Sequence, residues 1–119
     1  MAWEVEYTDE FHVWFQSLDE RQKLALASSI ELLQAEGPSL ARPYADTVTG
    51  SRFPNMKELR TQVRGHPLRT FYAFDPRRTG ILLIGGDKTG DACFYERTIP
   101  LADNLYAEYL AELKREGLL

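Results

Sequence analysis

Residues 56–87, MKELRTQVRGHPLRTFYAFDPRRTGILLIGGD, decide how the chain folds. Met56 to Val63, Leu68 to Asp75 and Ile81 to Asp87 read as three strands. They are joined by the turn signals Arg64-Gly65-His66-Pro67 and Asp75-Pro76-Arg77-Arg78-Thr79-Gly80. Connections this short make the strands antiparallel. The run Ile81-Leu82-Leu83-Ile84 is apolar without interruption, which suits a central strand covered on both faces.

Upstream, Trp3 to Tyr7 alternates apolar and acidic residues with the period of a half-buried strand. Thr8 then caps a helix whose Phe11, Trp14, Phe15 and Leu18 form one aromatic stripe, with Asp9 and Glu10 in the first turn, where the helix dipole favours acids. Asp19 with Gln22 forms a capping box opening a second helix, with Leu26, Ile30 and Leu33 on one side and Gly37-Pro38 at its end. The segment from Gly37 to Asn55 shows little periodicity and reads as a long loop, either functional or covering. Downstream, Ala102, Tyr106, Tyr109, Leu110 and Leu113 mark an amphipathic helix with Pro100 before it and Gly117 after it. The expected fold is α+β: a small antiparallel sheet packed against an N-terminal helical hairpin and a C-terminal helix, in the order βααβββα. Residues 1–119 read as one domain.

Composition narrows the function. Six Phe, six Tyr and two Trp supply a core for a chain of 119 residues, and one cysteine, Cys93, excludes a disulfide scaffold. With His12 and His66 as the only other soft ligands, neither a metal site nor a cofactor is expected. The N-terminus carries acids where a secretory signal needs bases, and no apolar run approaches a membrane span, so a cytoplasmic protein with no membrane partner is expected. The net charge is −4, but it is unevenly spread. Eight bases and three acids lie between Ser51 and Lys88, against six bases and fifteen acids elsewhere. A basic middle in an acidic frame points to one face for an anionic ligand.

No nucleophile elbow, zinc-binding helix or Walker loop is present. Gly85-Gly86-Asp87-Lys88-Thr89-Gly90 lacks the spacing of a phosphate loop and reads as a glycine bulge that aims Lys88. Strand alternation puts Met56, Glu58, Arg60 and Gln62 on one face and Lys57, Leu59, Thr61 and Val63 on the other. Arg60 therefore either pairs with Glu58 or faces a cleft, and Arg69, opposite Leu68 and Thr70 in the next strand, poses the same choice. Planar guanidiniums in a cleft suit bidentate phosphate recognition. Arg77 and Arg78, at a hairpin tip, fit solvated turn residues as well as ligand contacts. His12, His66 and Cys93 read as structural.

The runs NMKELR (55–60), LRTFYAFDPRRTGILLIGGDKTG (68–90), FYERTIPLADNLYAEYL (94–110) and RPYADTVTGSRFPN (42–55) resemble the RelE/ParE toxin superfamily, and within it HigB-type toxins of the phage-derived branch of type II toxin-antitoxin modules. The resemblance implies a ribosome-dependent endoribonuclease that cuts messenger RNA by attack of a ribose 2′-hydroxyl, without a metal. It implies catalytic roles for Arg60, Arg69 and Lys88, and RNA contacts from Lys57, Arg64, Tyr72, Arg77, Arg78 and Tyr95. Phe94-Tyr95-Glu96 stands where some members place a histidine, so no proton acceptor is assigned. The implied partners are the ribosome, messenger RNA and a HigA-like helix-turn-helix antitoxin. The alternative within the superfamily is a ParE-like toxin that poisons DNA gyrase without nuclease activity.

Overall fold

The computed structural model describes residues 2–119. Its elements are β1 (Val5–Tyr7), α1 (Asp9–Ser17), α2 (Glu20–Glu36), β2 (Ala45–Thr47), β3 (Lys57–Val63), β4 (His66–Phe74), β5 (Gly80–Asp87) and α3 (Phe94–Arg115). The α+β class, the helical hairpin, the three central strands and the C-terminal helix are as expected. The five strands run in the order β1-β5-β4-β3-β2. β2 to β5 pair antiparallel, while β1 lies parallel to β5, so the sheet is mixed rather than purely antiparallel.

Local chemistry sets each boundary. Thr8 Oγ accepts the Phe11 amide at 3.0 Å, and its hydroxyl donates to the Leu83 carbonyl at 2.6 Å, which ties the start of α1 to β5. The Asp19–Gln22 capping box is complete: Gln22 N–H donates to Asp19 at 2.8 Å and Asp19 N–H to Gln22 at 3.1 Å. β3 turns into β4 through Arg64 and Gly65, both at positive φ (47° and 80°), the twist that a two-residue hairpin turn needs.

The sheet separates two cores. On one face the hairpin covers Leu59, Tyr72 and Leu82 with Phe11, Leu26 and Leu33. On the other, α3 lays Phe94, Ala102, Leu105 and Tyr106 over Phe71, Ala73, Ile81 and Leu83. Burial on both faces explains the unbroken apolar run in β5.

Three local expectations change. The nineteen-residue loop contains β2, and its second half is clasped to α3: the Ser51 hydroxyl and the Arg52 amide donate to buried Asp103 at 2.5 and 3.0 Å, and the Asn55 amide donates to Tyr106 Oη at 3.1 Å. α3 starts at Phe94 and runs through Pro100. Proline removes one helical hydrogen bond, at a cost of about 3 kcal/mol, but buried Phe94 and Thr98 hold the preceding turn against the sheet. The irregularity in β5 lies opposite Phe71 and Tyr72, not at the glycine pair. A Cβ on Gly85 would lie 2.1 Å from the Trp14 ring and one on Gly86 2.7 Å from the Phe94 ring, so these glycines let α1 and α3 approach.

Gly37, which ends α2, combines φ 63° and ψ −143° with an approach in which an added Cβ would sit 2.4 Å from the Trp3 ring. That region of backbone space belongs to glycine and costs other residues about 1–3 kcal/mol. Gly37→Ala should therefore lower the urea midpoint of unfolding, and an unchanged midpoint would refute this assignment.

Candidate functional site

Arg60 and Arg69 are cross-strand partners on β3 and β4. The Arg60 amide donates outward to the Tyr44 carbonyl at 2.8 Å, so the pair occupies a position without mutual backbone hydrogen bonds, where side chains approach closest. Like charges in this arrangement oppose one another. Glu58, two residues before Arg60 on the same face, lies between them. Its Oε2 is 3.3 Å from Arg60 Nη2 and its Oε1 3.6 Å from Arg69 Nε. Asp46, the partner of Glu58 on β2, is 3.3 Å from Arg60 Nη2 and 2.9 Å from Arg42 Nη2. The Glu58 and Arg69 side chains are 6% and 11% exposed and Arg60 33%, so Arg60 is the guanidinium that meets solvent.

Tyr95, in the first turn of α3, closes the hollow by donating its hydroxyl to Glu58 Oε1 at 2.7 Å. Partial burial, and then the Glu58 carboxylate, push the phenol above its ordinary range, with Arg69 opposing. Tyr95 therefore keeps its proton at neutral pH and acts as a hydrogen-bond donor to Glu58. Lys88, just beyond β5, holds its ammonium 5.5 Å from the centre of the Tyr95 ring and makes no ion pair among the described residues. The Asp46 carboxyl is held below its ordinary range by its hydrogen bond from Arg42; burial opposes this, and the Thr47 amide and Arg60 add to it. The groove of about 340 Å³ in front of this cluster is lined by Asp46, Thr47, Thr49, Glu58, Arg60 and Tyr95.

The ion pair between Arg60 and Glu58 is thus present, but Glu58 is shared by two guanidiniums. Arg42, Arg60, Arg69 and Lys88 face two carboxylates, leaving a positive surplus. Such a site can bind a phosphodiester and stabilise charge that develops on it. Among the described residues no group of three His, Cys, Asp or Glu is placed to hold a metal ion, and no helix is long and apolar enough to cross a membrane.

The remaining sequence candidates separate. Arg60, Arg69, Lys88 and Tyr95 come together. Lys57 projects to the opposite face, as alternation requires, and donates to the Pro38 carbonyl at 2.9 Å. Tyr72 also faces the hairpin core and is 0% exposed, so it cannot stack on a base. Arg64 sits exposed in the β3–β4 turn. Arg77 is held by Asp75 at 3.0 Å and by Tyr109 Oη at 2.8 Å, and Arg78 lies 5.1 Å from the Trp3 ring centre. Both stand beyond the far end of β4, five strand residues or about 17 Å past Arg69, so they do not join this hollow. Cys93 is exposed rather than built into the core. His66 pairs through Nδ1 with Asp87 at 2.8 Å, and His12 stacks on Tyr7. Asp46 was missed because nothing local marks it: it enters the site only through pairing of β2 with β3.

Residues 13–107 match the family of phage-derived Gp49-like proteins (DUF891). The chain is 44% identical over 99 residues to a Mycobacterium tuberculosis H37Rv protein that bears the toxin name HigB3, covering 82% of this chain and 85% of that one. A second protein of that organism, bearing the toxin name HigB2, is 40% identical over 108 residues, covering 89% of this chain; the match spans about half, 54%, of HigB2. Among solved structures, E. coli toxin RelE with two arginine-to-alanine substitutions, in the free state, superposes with a TM-score of 0.59 at 11% identity over 82% of this chain and 96% of that one. A chain of the archaeal RelE–RelB complex from Pyrococcus horikoshii OT3 gives 0.57 at 14% identity over 77% of this chain and 100% of that one. The sequence likeness shows the family and the backbone likeness the fold: the chain belongs to the phage-derived Gp49-like family as a HigB-type toxin, and its fold is like that of RelE.

Proposed function

We propose that this toxin is a ribosome-dependent endoribonuclease that cuts messenger RNA, with the hollow around Arg60 and Arg69 as its active site. The observation that carries the reading is the direct cross-strand placement of two guanidiniums over one shared carboxylate. Two guanidiniums against one carboxylate leave a positive charge for an anion, and a phosphodiester offers paired oxygens that match the planar fork.

In the proposed reaction a ribose 2′-oxygen bonds to the adjacent phosphorus and the bond to the 5′-oxygen breaks, leaving a 2′,3′-cyclic phosphate and a 5′-hydroxyl. Glu58, the carboxylate nearest both guanidiniums, takes the proton from the 2′-hydroxyl. Arg60 and Arg69 stabilise the charge on the phosphorane oxygens, and the Lys88 ammonium stabilises the departing 5′-oxygen and gives it the proton that makes it a hydroxyl. Tyr95 fixes Glu58 through its hydrogen bond and offers a ring to an adjoining base. The ribosome holds the messenger in register and so removes much of the entropic barrier. A partner antitoxin, HigA-like by sequence resemblance, neutralises the toxin; the P. horikoshii relative of this fold is itself solved with RelB.

Induction of the protein in cells, followed by incorporation of radiolabelled amino acids and thymidine side by side, tests the reading. Amino-acid incorporation should fall first. An earlier fall in thymidine incorporation would instead indicate a gyrase poison.

A further inference from the structure

β2 covers only part of the outer edge of β3. Its three residues pair with Lys57, Glu58 and Leu59, and Tyr44 receives the Arg60 amide; beyond that, no strand pairs with the outer side of β3 among the described residues. Because backbone groups alternate along a strand, the amide and carbonyl of Gln62 point the same way as those of Arg60, out from the sheet. An open edge with an unspent donor, an unspent acceptor and an exposed carboxamide side chain therefore adjoins the arginine pair.

A groove of about 570 Å³ wraps this edge. Ser28 and Ser29 of α2 form one side, Tyr44 and Gln62 the rim, and Arg60 and Arg69 line the end that meets the hollow. Space exists because α2 presents Ala25, Ser28 and Ser29 here, where the same helix places Leu26 and Leu33 over the sheet. The Thr61 hydroxyl is spent on Ser29 Oγ at 2.8 Å, but the buried Nε of Arg60 has no hydrogen-bond acceptor. No carboxylate lines the groove among the described residues. Arg60 also lines the smaller groove beside Tyr95, so the two spaces meet at that residue.

We infer that the groove over the β3 edge is a nucleotide subsite. It holds the nucleotide adjoining the scissile phosphate, with that base read by the Gln62 carboxamide and backbone and by the Ser28 hydroxyl. The inference rests on the nuclease reading above. A single RNA strand laid across Arg60 places one base against Tyr95 and the next over the edge, and an unpaired base offers donors and acceptors on its edges to the groups found there. The absence of carboxylates and the presence of two guanidiniums favour a nucleic acid over an added protein strand.

The test uses the full chain and ribosomes programmed with a synthetic messenger randomised around the cut, with products mapped by primer extension. Ser28→Leu fills the groove from an exposed helical position and exchanges serine for a better helix former, so the fold is retained. Gln62→Ala removes the carboxamide. The unmodified protein should prefer certain bases at one position beside the cut. Both variants should flatten that preference, and Ser28→Leu should raise KM about tenfold, as expected for loss of one base contact. Unchanged preference and KM in both variants would overturn the subsite, as would variants that cut normally but escape the antitoxin, which would give the edge to a protein strand. No cutting by the unmodified protein would overturn the nuclease reading itself, and the subsite with it.

Discussion

Arg60→Ala and Arg69→Ala are each expected to slow messenger cleavage by about 10²- to 10³-fold, the usual effect of removing one preorganised donor from a developing oxyanion. The double variant should lose less than the product of the two effects, because both groups act on the same phosphate. Stability should change little for Arg60, whose side chain is one-third exposed. Arg69 is nearly covered, so Arg69→Ala removes packing as well as charge. Arg69→Lys separates the two contributions: it keeps a charge but loses the planar fork. Single-turnover cleavage of ribosome-bound messenger, with circular dichroism as a check on folding, measures these effects. A fully active double variant would remove both residues from the site.

Glu58→Gln carries the second large expectation. The amide keeps the shape of the side chain and can still accept the Tyr95 hydroxyl, but it is a far poorer proton acceptor. The turnover rate should fall by about 10²- to 10⁴-fold, the range for a positioned general base. Binding should move the other way. With the shared carboxylate neutralised, Arg60 and Arg69 are freed to attract RNA, so KM should fall or hold while kcat collapses. A residue that merely supported the arginines would, when altered, weaken binding and catalysis together. Full turnover in Glu58→Gln would assign the proton transfer elsewhere.

Particular residues show what was legible in the sequence. Thr8 and Asp19 announce helix starts because capping is a local hydrogen-bond problem, solved within three or four residues. β3 and β4 are legible because a short turn with Arg64 and Gly65 at positive φ joins alternating segments. β2 is not: Ala45-Asp46-Thr47 has no periodicity, and the strand exists because Leu59 and its neighbours offer it an edge. The direction of β1 is equally silent, since alternation is the same in parallel and antiparallel strands. Pro100 misleads because prolines favour helix starts, whereas here the preceding turn is held by Phe94 against Phe71 and by burial of Thr98.

The candidate site divides along the same line. Alternation puts Arg60 with Glu58 and sets Lys57 apart, and the structure follows it. The same rule puts Tyr72 opposite Arg69. That signal was masked because β4 is apolar on both faces, so an aromatic there reads equally well as core or cleft. The contribution of Tyr95 depends on where α3 begins, and that of Asp46 on a strand pairing, so both belong to tertiary structure.

Cleavage of a ribosome-bound messenger carrying a single 2′-deoxynucleotide just upstream of the cut, compared with the all-ribose strand, measures the central claim most directly. The account predicts that the all-ribose strand is cut to a 2′,3′-cyclic phosphate end and that the substituted strand stays intact at that position. Equal cutting of both strands would contradict it.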